Sequence, residues 1–235
     1  MDDGLRLYKV PPKIELMRSV LRPFFRILFH ILCQVQMVGV QNIPTNGAYL
    51  IAINHISLYE PPFILAFWPV APEAIGAVDI WERTGQATLA RLYGAIPVHR
   101  GVYDRRVIAA MVSILRSGRP LMLAPEGGRT HEPGLKRAYP GVAYVVDKVK
   151  VPVVPVGVVG STDDFLQRAL HGERPVLEMN VGRSVYLSPV TGRGEVRRIA
   201  LQNNADMIMA HIASLLPQDY RGVYADYQIY PAKTS

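Results

Sequence analysis

Short apolar runs alternate with helix-like segments along most of this chain, and several runs end in a polar cluster on their carboxyl side. Candidate strands fall at residues 48–53, 75–78, 95–98, 121–124, 151–159 and 177–187. Between them, helical spacing and helix punctuation mark 61–67, 80–93, 104–116 (stopped by Gly118), 140–148 and a long segment at 195–216. Apolar runs without polar alternation suit strands buried on both faces, which calls for a parallel or mixed sheet covered by helices. The expectation is an α/β fold: a single domain with a largely parallel or mixed sheet flanked by helices. With 49% hydrophobic residues among 235, the chain has enough apolar surface for one full core. In such sheets ligands bind beyond the carboxyl ends of the strands, so the polar clusters there are expected to converge.

Ahead of the sheet, residues 13–32 read KIELMRSVLRPFFRILFHIL. Leu16, Val20, Leu21, Phe24, Leu28, Ile31 and Leu32 fall at helical spacing, and Arg18, Arg22 and Arg26 recur every four residues. Spanning a bilayer takes roughly 20 mostly apolar residues, and the arginines interrupt the run. The expectation is an amphipathic helix lying in the headgroup plane, arginines on anionic lipid and phenylalanines in acyl chains. The alternative is a helix packed on the domain with its arginines solvated. Pro11 and Pro12 break any signal-peptide core, so no secretion is expected. Three segments result: a membrane-association segment at 1–37, the main domain at 38–216, and an irregular tail at 217–235.

The 26 Lys and Arg against 19 Asp and Glu give a net charge of +7. That balance favours an acidic partner: nucleic acid, an anionic membrane surface, or a phosphorylated or thioester-carrier substrate. No nucleic-acid recognition module is present, and the basic stripe is interleaved with apolar residues, so nucleic acid is not expected. The one cysteine, Cys33, excludes an internal disulfide and a cysteine-rich zinc site and is compatible with a reducing cytoplasm. The histidines lack metal-ligand spacing, and no G-x-S-x-G, Walker or G-x-G-x-x-G pattern occurs; a metal, a bound cofactor and a covalent acyl-enzyme are all unsupported.

Three clusters carry candidate chemistry. In NHISLYEPP, His55 precedes Glu60 by five positions, which on a regular helix is a turn of roughly 140° and would separate them. A loop is required, and Pro61 supplies its end by favouring the first helical position and disfavouring helix at Glu60. An imidazole oriented by a carboxylate is a general base; the plain reading is a helix-start Glu and a polar strand terminus. In LAPEGGRT, the backbone at Gly127 and Gly128 is free to face an anion beside Arg129, with Glu126 adjacent, or the segment is a surface turn pairing Glu126 with Arg129. In GAIPVHRG, Arg100 is a phosphate ligand or a solvated charge. VPVVPVGVVG reads as core strand plus a shaped turn, without chemistry.

Taken in order, these stretches resemble the motifs of the glycerolipid acyltransferase family, whose members acylate glycerol 3-phosphate or lysophosphatidic acid. NHISLYE resembles its His-X4-Asp motif; GAIPVHRG, its second motif ending in arginine; APEGGRT, its Phe-Pro-Glu-Gly-Thr-Arg-Ser motif; and VPVVPV, its Val-Pro-hydrophobic-hydrophobic-Pro-Val motif. VGVQNIPTNGAYLIAINH also resembles the family's lead-in, so the likeness runs over 38–160. Three positions depart from the pattern: Glu60 stands for aspartate, Ala124 for phenylalanine and Gly128 for threonine. The resemblance implies His55 and Glu60 as the catalytic pair and Arg100, Glu126, Gly127 and Arg129 as binding residues for the acceptor's polar head and phosphate. It implies a lysophospholipid acceptor, most simply 1-acylglycerol 3-phosphate, acyl-CoA or acyl-carrier protein as co-substrate, a place in phospholipid biosynthesis, and a peripheral or monotopic position on the cytoplasmic face of a membrane. The competing expectation is a lipid-binding or remodelling protein of the same fold, with another acceptor or no turnover.

Overall fold

The computed structural model describes residues 8–99 and 104–227. In chain order the elements are α1 (Pro12–Leu32), β1 (Gln34–Val38), β2 (Leu50–Ile53), α2 (Glu60–Phe67), β3 (Glu73–Ala77), α3 (Gln86–Tyr93), β4 (Ile96–Val98) and α4 (Arg105–Arg116). Then follow β5 (Leu121–Leu123), α5 (Gly141–Val149), β6 (Val153–Val159), α6 (Phe165–Leu170), β7 (Val176–Val181) and α7 (Gly194–Ala213). Among the described residues these strands form one sheet in the order β1-β7-β6-β2-β5-β3-β4. From β6 to β4 the neighbours are parallel; β7 runs antiparallel to β6 and carries β1 parallel to itself. The fold is the expected α/β domain on a mixed sheet.

The wholly buried β2 explains the layering, because successive side chains leave a strand on opposite faces. Leu50 and Ala52 join the core built with α4, α5 and α7, while Ile51 and Ile53 join the one built with α1, α2 and α6. β3 pairs with β5 only at Glu73 and Ala74, then leaves it, and Ile75–Ala77 pair with β4. The sheet therefore splits on one side of β5.

α1 reverses the expected use of its two stripes. Arg18 is buried, its guanidinium bidentate on Glu73 (2.8 and 2.7 Å) with Nε on the Tyr93 carbonyl. Arg22 donates to the carbonyls of Leu65 and Trp68, and Arg26 to that of Ala66 (2.6 Å). The last carbonyls of a helix lack intrahelical partners and carry its negative end, so Arg22 and Arg26 act as the C-terminal cap of α2. Arg18, Arg22 and Arg26 thus turn toward Glu73 and the end of α2, Arg18 buried and the other two half-buried. The stripe left outward is apolar: Leu16, Val20, Phe24, Ile27 and Ile31, each 55–65% exposed. Among the described residues no helix is long and apolar enough to cross a membrane.

Glu73 ties this helix to the sheet. Its buried carboxylate also accepts from Arg119 Nε and Tyr8 Oη. Burial opposes its charge, but Arg18, Tyr8 and Arg119 together outweigh that and hold the carboxyl below its usual range.

Other differences are local. The expected helix at 80–93 is a 3-10 turn at Val78–Glu82 and then α3, broken at Gly85, whose φ is +83°. β1, placed by the sequence reading in the N-terminal segment, is an edge strand of the sheet; neither it nor α6 was expected as an element. The expected strand at 177–187 ends as β7 at Val181, with an isolated bridge between Val185 and Val153 beyond it. Of the tail, residues 217–227 are described and pack on the domain, with Tyr220 and Tyr224 buried.

Candidate active site

The first residue past β2 fixes where the chain leaves the sheet. Asn54 is buried, its Nδ2 donating to the Val158 carbonyl (2.9 Å) and its Oδ1 accepting the Val158 amide (2.7 Å). This side chain continues the β2–β6 pairing by one step and sets His55 at the carboxyl end of a central strand.

Glu60 opens α2, followed by Pro61 and Pro62 in the first turn, where a missing amide leaves no hydrogen bond unmade. Its carboxylate is fully buried and folds back over the loop it closes. Oε1 accepts the amides of Ile56 (3.0 Å) and Ser57 (2.9 Å) and the hydroxyl of Ser161 (2.5 Å); Oε2 faces His55 Nδ1 at 3.1 Å. A carboxylate only accepts, so beside an ionised Glu60 the neutral imidazole carries its proton on Nδ1 and leaves Nε2 as an acceptor. The loop required by the five-residue spacing is the one these amides define.

From β5 the chain enters the PEGGR segment, which runs beside the His55 loop: the Thr130 amide donates to the His55 carbonyl and the His131 amide to that of Ile56. Glu126 joins the two. Its Oε1 accepts the His55 amide (3.1 Å) and its Oε2 the Lys136 amide (2.8 Å). Burial pushes this carboxyl up to about 7, against the pull of the two amides. Both oxygens accept a backbone amide, and Glu126 is not among the residues that line the neighbouring cavity. Gly127 turns the chain at φ +69°, where a Cβ would lie 2.9 Å from the Tyr139 ring.

A cavity of about 610 Å³ opens where β3 and β5 diverge. Ala74, Ile75, Gly76 and Ala77 line one side and Met122, Leu123 and Ala124 the other. His55, Gly127, Gly128 and Arg129 border it, and α1 contributes Leu21, Arg22 and Phe25 to the wall. His55, Gly127 and Arg129 are therefore brought together, whereas Arg100 lies outside the described residues. The lining is mostly apolar but also includes Arg22, Asp79, Arg83, His99 and Asp104, and a largely apolar chamber bordered by polar groups suits a long-chain ligand with a polar reacting end.

A family model described as Acyltransferase matches residues 34–159, more than half of the chain. The chain belongs to the Acyltransferase family. Among solved structures, PlsC, the 1-acyl-sn-glycerophosphate (LPA) acyltransferase of Thermotoga maritima, is similar in fold. The TM-score is 0.58 at 19% identity, over 83% of this chain and 79% of that one. This acyltransferase thus has a PlsC-like fold.

Two residues of the acyltransferase's site escaped sequence reasoning. Asn54 adjoins the histidine but reads as an ordinary strand end until its partner on β6 is known. Ser161 is separated from Glu60 by 101 positions and falls just past the family match, after a segment that reads as core alone.

Proposed function

We propose that this acyltransferase works on a membrane surface, moving a fatty acyl group from acyl-CoA or acyl-carrier protein to the free hydroxyl of 1-acylglycerol 3-phosphate. The observation that carries this reading is the His55–Glu60 contact of 3.1 Å at the border of a large apolar cavity. His55 Nε2 takes the hydroxyl proton as the oxygen attacks the thioester carbonyl. The tetrahedral oxyanion collapses, the C–S bond breaks, and the thiolate takes the proton from the imidazolium, leaving an ester and a free thiol. No acyl group resides on the enzyme. Glu60 keeps the proton on Nδ1 and faces the imidazolium as it forms.

Arg129, beside His55 in the cavity wall, supports a contact with the acceptor phosphate, with Arg100 as its expected companion. The outward stripe of α1 favours peripheral attachment to a membrane, seated among acyl chains, with the cytoplasmic leaflet as the expected side. Free-thiol release by the purified chain, with 1-acylglycerol 3-phosphate and with a matched acceptor lacking phosphate, tests the reading. His55→Ala should lower turnover roughly 10²–10⁴-fold without unfolding, and near wild-type turnover would overturn the mechanism. Arg129→Ala should lose about ten- to a hundredfold in kcat/KM on the phosphorylated acceptor alone; equal loss on both would remove the phosphate assignment.

A further inference from the structure

We infer that Ser161 is a positioning residue for the His55–Glu60 pair, an inference that rests on the reading of His55 as the base. Its side chain is fully buried, and its hydroxyl donates to Glu60 Oε1 at 2.5 Å, the oxygen that does not meet the imidazole. Glu60 is one methylene longer than the usual aspartate, so its carboxylate has an extra torsion to lose before Oε2 stands opposite Nδ1. The Ile56 and Ser57 amides hold Oε1 from the loop side, and Ser161 holds it from the turn that follows β6. Ser161 is itself fixed. The preceding Gly160 turns at φ +86°, where any Cβ would stand 2.1 Å from the Val176 carbonyl oxygen. Its amide donates to the Tyr220 hydroxyl at 3.2 Å, and Tyr220 is held in turn by the Leu135 amide on its carbonyl.

The test uses the purified full chain with an acyl-CoA donor and 1-acylglycerol 3-phosphate as acceptor. Ser161→Ala should lower kcat about tenfold, the scale of a lost hydrogen bond to a charged group, with both KM values held within about twofold. Ser161→Thr, which keeps the hydroxyl, should recover most of the loss. In a Glu60→Gln background Ser161→Ala should cost nothing further, because its effect passes through the Glu60 carboxylate. Unchanged kcat in Ser161→Ala, or the same factor lost in both backgrounds, would overturn the inference while leaving the base assignment standing. Full activity of His55→Ala would instead remove the reading on which it rests.

Discussion

Replacing Val20, Phe24 and Ile27 by serine tests the proposal that the outward apolar stripe of α1 seats the protein on a bilayer. Fully burying an aliphatic or aromatic side chain of this class is worth roughly 1.5–3 kcal/mol. Each of the three leaves rather more than half its surface in water, so seating them in acyl chains gains about 1–1.7 kcal/mol apiece. Losing all three should weaken partitioning by roughly 3–5 kcal/mol, about two to four orders of magnitude, with little change in Tm because the positions are exposed. Flotation with neutral and anionic liposomes, at about 0.1 M and about 1 M salt, reads the result; the screening length falls between these from about 10 to 3 Å. Wild type should stay with neutral vesicles in high salt, and the triple variant should not. Wild-type release by salt, together with undiminished flotation of the triple variant, would refute the orientation and restore an electrostatic attachment.

Glu60→Gln should cut kcat by about 10² or more, because its amide can turn an N–H toward Nδ1 and displace the proton to Nε2. Glu60→Asp should fall between it and wild type, since the shorter carboxylate cannot reach the loop amides, Ser161 and His55 together. The Glu126 carboxyl rises on folding from its ordinary value near 4.5 to about 7. Its contribution is therefore fully present below about pH 4.5 and lost as pH rises toward about 7, on the order of 3 kcal/mol. Urea unfolding of wild type and Glu126→Gln across that window should show the slope only in wild type; parallel curves would count against it. Glu73→Ala should cost about 3–5 kcal/mol by leaving Arg18 buried without a carboxylate, measured as a drop in the urea midpoint; a loss under about 1 kcal/mol would show the cluster to be dispensable.

What the sequence made legible was local or doubly buried. β2, β5 and β6 are apolar runs covered on both faces, and His55 and Glu60 are five positions apart with prolines marking the turn. Exposed β1 presents QVQMV, too polar to read as core, and six-residue α6 is too short to show a period. The two stripes of α1 were plain in the sequence, but periodicity does not say which one faces inward. That was decided by the carbonyls ending α2 and by Glu73, partners distant in sequence. The contact of Ser161 with Glu60 was hidden for the same reason, and the backbone contacts of Glu126 because a charged residue in a polar motif reads first as a ligand contact.

The split beside β5 divides the site into halves with different resistance to opening. His55 follows a strand hydrogen-bonded on both sides, so amides around Leu50–Ile53 should exchange with deuterium only in the rarest openings of the molecule. The opposite wall hangs on two residue pairs between β3 and β5 and on edge strand β4, so it should open more readily. Under the proposed reaction, acyl chains of different length would be accommodated by small displacements of that wall while His55 and Glu60 keep their spacing.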